Sequence, residues 1–290
     1  MEAGLVEQRR DGVVVERVSK VRCAHKVIKK KKFNRKIQRS LPQVSMVLQE
    51  LFLSCRDVFK GPGIVPSPFD VQRLCRILDN MKPEDVGLSS ELQFFNAKDV
   101  VKGTPPIVTS TTIYKCNEFS LCLFFLPATA VIPLHNHPEM TVFSKLLLGT
   151  MHIKSYDWVY PVNSLNSMAS PQRRLARLKA DSDFTAPCST SVLYPTTGGN
   201  IHEFTAITTC AVLDVLGPPY CKDDGRDCSY YKEFPHTAIS NATCINADGE
   251  NSVTEKEGES YGWLEEIEMP ENSHMDEIEY LGPQIIDTSY

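Results

Sequence analysis

Two histidines separated by a single residue constrain this chain more than any other feature of its sequence. His135 and His137 follow two apolar, β-prone runs, residues 119–126 and 130–134. Alternate side chains of an extended strand project to the same face, so we expect the two imidazoles to lie side by side. Two neighbouring imidazoles are half of a metal site. The pattern therefore predicts a strand that presents metal ligands.

A third histidine, His202, follows a turn-forming segment with a proline and two glycines, residues 195–200, and begins a further β-type run. A lone histidine on a strand is more often an ordinary core or surface residue than a ligand. The preceding turn and the upstream pair favour a ligand here, so the layout predicts a metal-binding β-barrel. The other histidines lack comparable partners and are expected to be structural or solvated; they are His25, His152, His236 and His274.

Short β-type runs divided by Pro, Gly and Asn fill the chain after residue 90 and predict an all-β barrel or sandwich. The predicted strands cover residues 107–114, 119–126, 142–148, 151–159, 191–193 and 201–216. Two stretches are interpreted as a surface insertion and a polar loop, residues 163–183 and 237–259. The alternating segment from Tyr261 to Ile267 is expected to return to the barrel.

Two helices are predicted before the barrel. Apolar residues recur at helical spacing from Val44 to Phe59. A second helix is expected to begin after Ser67, with Pro68 in its first turn and Asp70 closing a capping box. We expect this small helical pair to pack on the barrel, so that residues 41–290 form a single domain.

Residues 1–40 are polar and poor in aromatic side chains, which predicts disorder. The basic cluster from Lys29 to Lys36 is either a nuclear-import signal or a solvated tail. The net charge of −5 makes a chain-wide nucleic-acid binder an unlikely class. The ten cysteines form no CxxC pair and no apolar signal or membrane segment is evident, so a soluble intracellular protein is expected.

Several separated motifs follow one another in order along the chain, at residues 133–140, 145–151, 155–158, 213–220, 225–231, 261–266 and 282–283. Together they resemble the cupin-fold thiol dioxygenases, and in particular the plant cysteine oxidases, which are related to cysteamine (2-aminoethanethiol) dioxygenase. The resemblance runs from about residue 48 to residue 286. It implies a mainly β fold, the cupin double-stranded β-helix, a jelly-roll-like barrel.

The resemblance also implies an activity: iron(II)-dependent addition of both atoms of O2 to the thiol of a protein's N-terminal cysteine, giving cysteine sulfinic acid. In plants the implied substrates are group VII ethylene-response transcription factors, which are then degraded, so that the enzyme senses oxygen in nucleus and cytoplasm. A monomer without nucleic-acid or membrane partners is expected.

The residues after His137 fit a ligand set of three histidines and no carboxylate. The positions where many cupins carry a glutamate ligand hold Met140, Thr141 and Val142. Glu139 would lie on the same strand face as His137, but Pro138 disturbs that strand. Glu139 is therefore interpreted either as a residue that contacts the metal ligands rather than the metal, or as a structural residue.

Four further residues are candidates for the site through the resemblance. Asp214 interrupts an apolar run, which is costly unless the carboxylate is paired; it is expected to hold the substrate amine or a liganding histidine, or to be a structural acceptor at a strand end. Tyr220 either points its hydroxyl at substrate or oxygen or belongs to a packed turn. Cys228 and Tyr230 resemble a Cys–Tyr pair that can crosslink in the animal enzyme; a free buried cysteine and a surface tyrosine are the expectation here.

Two other classes of function remain open at this stage. The chain could be a non-catalytic nuclear cupin that serves as a protein-interaction module with a structural metal. It could also be a zinc-dependent cupin isomerase, although the usual fourth protein ligand is missing.

Overall fold

The computed structural model describes residues 44–88, 106–159, 173–235 and 260–287. Two helices open this part of the chain, α1 (Met46–Val58) and α2 (Pro68–Asn80). Ser45 and Ser67 cap them, because their hydroxyls accept the backbone N–H groups of Leu48 and Asp70. The predicted start of the second helix is confirmed. The capping box differs in detail, since the Asp70 carboxylate accepts the Ser67 hydroxyl (2.6 Å).

Twelve strands follow in the described residues and form two sheets. They are β1 (Val108–Lys115), β2 (Ser120–Leu126), β3 (Val131–Asn136), β4 (Thr141–Leu148), β5 (Thr150–Trp158), β6 (Arg173–Thr185), β7 (Ser191–Leu193), β8 (Ile201–Ala206), β9 (Cys210–Gly217), β10 (Tyr230–Pro235), β11 (Tyr261–Ile267) and β12 (Met275–Glu277). One sheet has the order β12-β1-β2-β9-β4-β7, and the other closes on itself as β10-β11-β6-β5-β8-β3. The predicted cupin-type, mainly β architecture with a helical pair at its start is confirmed.

The helical pair covers the outer face of the open sheet. Buried side chains of both helices, among them Phe52 and Leu74, share one apolar cluster with Leu213 and Val215 of β9. The approach is so close that a Cβ on Gly217 would lie 2.0 Å from the ring of Phe59. Glycine is therefore required at this strand end.

Strand β9 is buried along its whole length, so both of its faces are covered. Val212 packs in a cluster on the face away from the helices, and Leu216 packs beside Met140 and Val142. Because side chains two apart share a face, Asp214 points with Val212 and Leu216 into the barrel. A cavity lined in part by Val142 and Ser144 of the neighbouring strand β4 also reaches His202 of the other sheet.

Most predicted strands are confirmed within a residue or two at their ends, and the run 201–216 divides into β8 and β9. The segment 261–267 returns to the barrel as β11, as expected. The surface insertion is wrong for residues 173–183, which belong to β6 and pair with both β5 and β11. Its basic residues obscured an alternation in which Ala176 and Leu178 pack in a buried cluster.

Several predictions fall on parts of the chain outside the described residues. These are the segment 1–40 with its basic cluster, the first part of the insertion, residues 163–172, and the loop 237–259. Neither described helix is long and apolar enough to cross a membrane.

Candidate metal centre

The three candidate ligands meet where β3 and β8 run side by side. The strands are antiparallel, and their register places His135 directly opposite His202. His137 follows the last residue of β3. Sheet pairing thus unites residues that are 65 positions apart in sequence.

The rings form a nearly equilateral triangle. Ring centroids are 4.9 Å apart for His135 and His137, and 4.8 Å apart for each of them and His202. One nitrogen from each ring lies within 4.8 Å of the others. Two nitrogens bound at right angles to one ion, each about 2.1 Å away, are about 3.0 Å apart. The Nε2 atoms of His137 and His202 are 3.0 Å apart, so these residues fit a single metal ion.

Burial keeps the three rings neutral. It lowers the pKa of His135 to about 4. It also lowers the pKa of His137 and His202 well below the usual value, and the neighbouring histidines add to this effect. Neutral imidazoles retain the lone pairs that bind a cation, whereas charged ones would repel it.

Hydrogen bonds select which nitrogen of two rings faces the centre. His135 has Nδ1 2.8 Å from the carbonyl oxygen of Pro133, to which it can only donate. His137 has Nδ1 2.8 Å from the hydroxyl oxygen of Tyr220, and that hydroxyl donates to the carbonyl oxygen of Asn136 at 2.7 Å. Because the hydroxyl proton is donated to the carbonyl oxygen of Asn136, the Tyr220 oxygen accepts the Nδ1–H of His137. Both rings thus present an unprotonated Nε2.

Tyr220 therefore has a defined place in the site. Burial, followed by the neighbouring Cys228, raises the pKa of Tyr220 well above its usual value, so the hydroxyl stays protonated and can donate. The phenol also packs against the cluster containing Met140 and Leu216. The structure thus combines the two interpretations of Tyr220, a packed turn and a hydroxyl directed at the site. Its predicted contact with substrate stays a prediction.

Asp214 lies in the interior of the barrel. Only 5% of the residue is exposed, and Oδ1 has no hydrogen-bond partner in the described part of the chain. Burial raises the pKa of Asp214 to about 7, although a hydrogen bond from Ser144 opposes the shift. Ser144 and Cys122 are its cross-strand neighbours. The structure records no hydrogen bond from Asp214 to any of the three histidines, so the proposed support of a liganding histidine is not observed.

The candidate ligand group of the described residues consists of three histidines and contains no carboxylate. Glu139 is exposed and has φ +57°, in the turn after β3. Its assignment to the strand parity of His137 is wrong, because β3 ends at Asn136. Its interpretation as a structural residue is the one that fits the geometry.

Cys228 and Tyr230 lie beside the centre. Tyr230 pairs with His135 in the ladder between β10 and β3, with ring centroids 6.4 Å apart. Burial raises the pKa of the Cys228 thiol to about 11, and hydrogen bonds with Tyr220 and Tyr230 oppose the shift. Cys228 is partly buried and forms no disulfide, and its lack of a crosslink to Tyr230 stays a prediction. Tyr230 is half-buried, so describing it as a surface residue is wrong.

Asn200 was missed from the sequence. Its Oδ1 accepts the backbone N–H of His137 (3.2 Å), and its Nδ2 donates to the carbonyl oxygens of His137 and Tyr194 (2.8 Å each). An asparagine two residues before His202 is the only sequence signal, and it does not indicate that His137 is the partner.

A cavity of about 180 Å³ adjoins His202 and is lined in part by Ser144, Ser155 and Ser191.

The other two histidines of the described residues, His152 and His274, do not join the centre. His152 lies on the surface between two carboxylates, with Nδ1 2.7 Å from Asp183 and Nε2 2.8 Å from Asp181. His274 is exposed. His25 and His236 are outside the described residues.

Comparison with known proteins gives consistent matches. The PCO_ADO family model matches residues 77–285. Plant cysteine oxidases 1 and 2 of Arabidopsis thaliana are 49% and 50% identical to this chain, covering 83% and 87% of it and 80% and 88% of the relatives. The 2-aminoethanethiol dioxygenase of Homo sapiens is 27% identical, covering 80% of this chain and 88% of the relative. These matches confirm the resemblance that the motifs indicated, and the chain belongs to the PCO_ADO family.

Proposed function

We propose that this protein is an iron(II)-dependent dioxygenase that oxidises the thiol of an N-terminal cysteine to cysteine sulfinic acid with O2. The observation that carries the proposal is the group of three neutral histidines around one point. Relatives of similar length are named cysteine oxidases and a 2-aminoethanethiol dioxygenase, which supports a thiol substrate. Both oxygen atoms of O2 are incorporated, so no further reductant is needed.

The donor set suits a chelating thiol substrate. His135, His137 and His202 would hold an iron(II) ion and would leave room on it for a cysteine thiolate, its α-amine and O2. Iron(II) would supply the electrons that activate O2. Oxygenases that depend on 2-oxoglutarate instead use two histidines and a carboxylate, which the described group lacks.

The protein's own residues prepare this site. His135 and His137 are oriented by Pro133 and Tyr220, and burial excludes the protons that would compete with a metal. We assign to Asp214 the binding of the substrate amine, because its Oδ1 is buried without a partner and can accept an N–H. With a pKa of about 7, Asp214 could also exchange a proton with that amine. Asp214→Asn should raise the KM for a Cys peptide without reducing iron content; an unchanged KM would leave Asp214 as a structural acceptor.

Incubation of iron-loaded protein with a Cys-initiated peptide in air tests the activity. Mass spectrometry should find a gain of two oxygen atoms, and 18O2 should label both. A peptide acetylated at its N-terminus, and one with cysteine at position two, are the matched substrates, because each lacks the free amine beside the thiol. Both should react much more slowly. Equal rates for free and acetylated peptides would contradict chelation through the amine.

Metal content and O2 consumption distinguish the proposed dioxygenase from the two other classes of function, a zinc isomerase and a non-catalytic interaction module. A zinc isomerase would retain zinc as the active ion, and a pure interaction module would bind its partner without consuming O2. The three-ligand group argues against a closed structural zinc site, which takes four protein ligands. Oxygen uptake that requires iron and fails with zinc is the expected result.

We further propose that the substrates include group VII ethylene-response transcription factors and that the enzyme reports oxygen supply in nucleus and cytoplasm as a monomer. The similarity to plant cysteine oxidases supports this biological setting. The basic cluster from Lys29 to Lys36 is proposed to direct the nuclear fraction. Replacing its lysines with serine should shift a fluorescent fusion toward the cytoplasm while leaving turnover intact; unchanged distribution would argue for a solvated tail.

A further inference from the structure

The buried carboxylate of Asp157 on β5 accepts hydrogen bonds from the turn that precedes His202. Asp157 is 3% exposed. Its Oδ1 accepts the backbone N–H groups of Gly199 (2.8 Å) and Asn200 (3.2 Å), and its Oδ2 accepts that of Gly198 (3.0 Å). Three hydrogen bonds to a charged acceptor offset much of the cost of burying it. The carboxylate thereby fixes three consecutive peptide units.

Two glycines allow the turn to adopt the conformation in which its N–H groups reach Asp157. Gly198 and Gly199 both have φ +84°, a conformation that residues with a Cβ rarely adopt. A Cβ on Gly199 would also lie 2.5 Å from Oγ of Ser155. The turn therefore presses against β5, where Asp157 can reach its N–H groups.

The same turn carries the residue that holds His137. The ladder between β3 and β8 ends with the pair Asn136 and Ile201. At the next position the Asn200 side chain replaces a backbone partner, because it both accepts from and donates to the backbone of His137. Asn200 therefore extends the ladder by one residue beyond the end of the strand.

We propose that Asp157 is a positioning residue of the metal centre, which aims two of the three ligands through one turn. Asp157 holds the backbone of Asn200 in place, and the Asn200 side chain in turn positions the backbone of His137. Asp157 also positions the start of β8, on which His202 is the second residue. Hydrogen-bond partners behind metal ligands commonly contribute ten- to hundredfold to metal affinity. This inference rests on the proposed metal function, but it concerns affinity and geometry rather than the reaction.

Asp157→Asn is the informative variant. The amide keeps one acceptor oxygen, but its NH2 group would face a backbone N–H of the turn. Glu233→Gln is the matched control, because Glu233 is a partly buried carboxylate of the same closed sheet that accepts from Tyr156 and Lys154 away from the histidines. Asn200→Ala is a second variant, which removes the contacts to His137 and leaves the turn's N–H groups for Asp157.

Cobalt(II) titration of the metal-free proteins, with a competing chelator and the visible spectrum of the bound ion, provides the readout. We expect Asp157→Asn and Asn200→Ala to bind cobalt about ten- to hundredfold more weakly, with altered spectra. Glu233→Gln should keep wild-type affinity even if its melting temperature falls. If Asp157→Asn fails to fold, the same loss of affinity in Asn200→Ala supports the arrangement.

Wild-type affinity and spectrum in folded Asp157→Asn would overturn the proposal, as would an equal loss of affinity in Glu233→Gln, which would indicate general destabilisation. Wild-type affinity in Asn200→Ala would break the link to His137 and also overturn it. Failure of the proposed function looks different: wild-type protein that binds cobalt tightly but oxidises no Cys peptide refutes the activity and leaves the positioning role measurable.

Discussion

The hydroxyl of Tyr220 offers a direct test of the site, because one oxygen atom orients a ligand. It accepts the Nδ1–H of His137 and donates to the carbonyl oxygen of Asn136. Tyr220→Phe deletes that oxygen and keeps the ring that packs against the neighbouring apolar cluster. The variant therefore removes the hydrogen bonds with His137 and Asn136, and the one with Cys228, with little loss of packing.

The magnitude follows from what is left unpaired. His137 is 2% exposed, so its Nδ1–H would lose its partner in a buried place, at a cost of about 1–3 kcal/mol in the free energy of unfolding. The ring would also be free to rotate or to change tautomer. Loss of such a partner lowers metal affinity about ten- to hundredfold, which corresponds to about 1.4–2.7 kcal/mol of binding free energy.

Metal titration and thermal unfolding of the metal-free protein measure the two effects separately. Tyr280→Phe is the matched control, because its hydroxyl donates to the carbonyl oxygen of Val86, away from the histidines (3.3 Å). We expect the control to keep wild-type affinity. Wild-type metal affinity in Tyr220→Phe would refute the conclusion that this hydrogen bond makes Nε2 of His137 the ligand atom.

Three further predictions concern the ligands, the packing and a surface histidine. His202→Ala should lose most bound iron while circular dichroism shows a retained β fold, and full iron occupancy would remove His202 from the ligand set. Gly217→Ala should destabilise the protein by about 1–3 kcal/mol through overpacking, because its Cβ would collide with Phe59; Phe59→Leu in the same chain should recover part of the loss, and no recovery would place the strain elsewhere. Hydrogen bonds to Asp183 and Asp181 raise the pKa of His152, so its stabilising effect is complete below the unfolded pKa of about 6.5 and is lost as pH rises through the folded value. Urea unfolding should therefore show a larger deficit for His152→Ala at pH 5.5 than at pH 9, of less than about 1 kcal/mol because the pair is exposed, and an equal deficit at both pH values would contradict the charge effect.

Local signals in the sequence were sufficient for the helices and for most strands. Ser67 and Pro68 fix a helix start through contacts within one turn, which depend on no distant residue. Short β-type runs bounded by turn residues likewise located β4 and β5. This signal failed for β6, where three arginines and a lysine surround the inward-packing Ala176.

The sequence was enough to predict that His135, His137 and His202 meet, because they are the histidines placed at strand ends and turns of a β-rich chain. It also shows that no carboxylate follows His137 at ligand spacing. The contacts of Tyr220 and Asn200 with His137, and of Asp157 with the turn before His202, appear only in the folded protein. Asp157 and Gly199 are 42 residues apart, and their contact depends on the packing of a turn against β5. No local pattern encodes such a contact, since it exists only after the sheet has closed and its register is set.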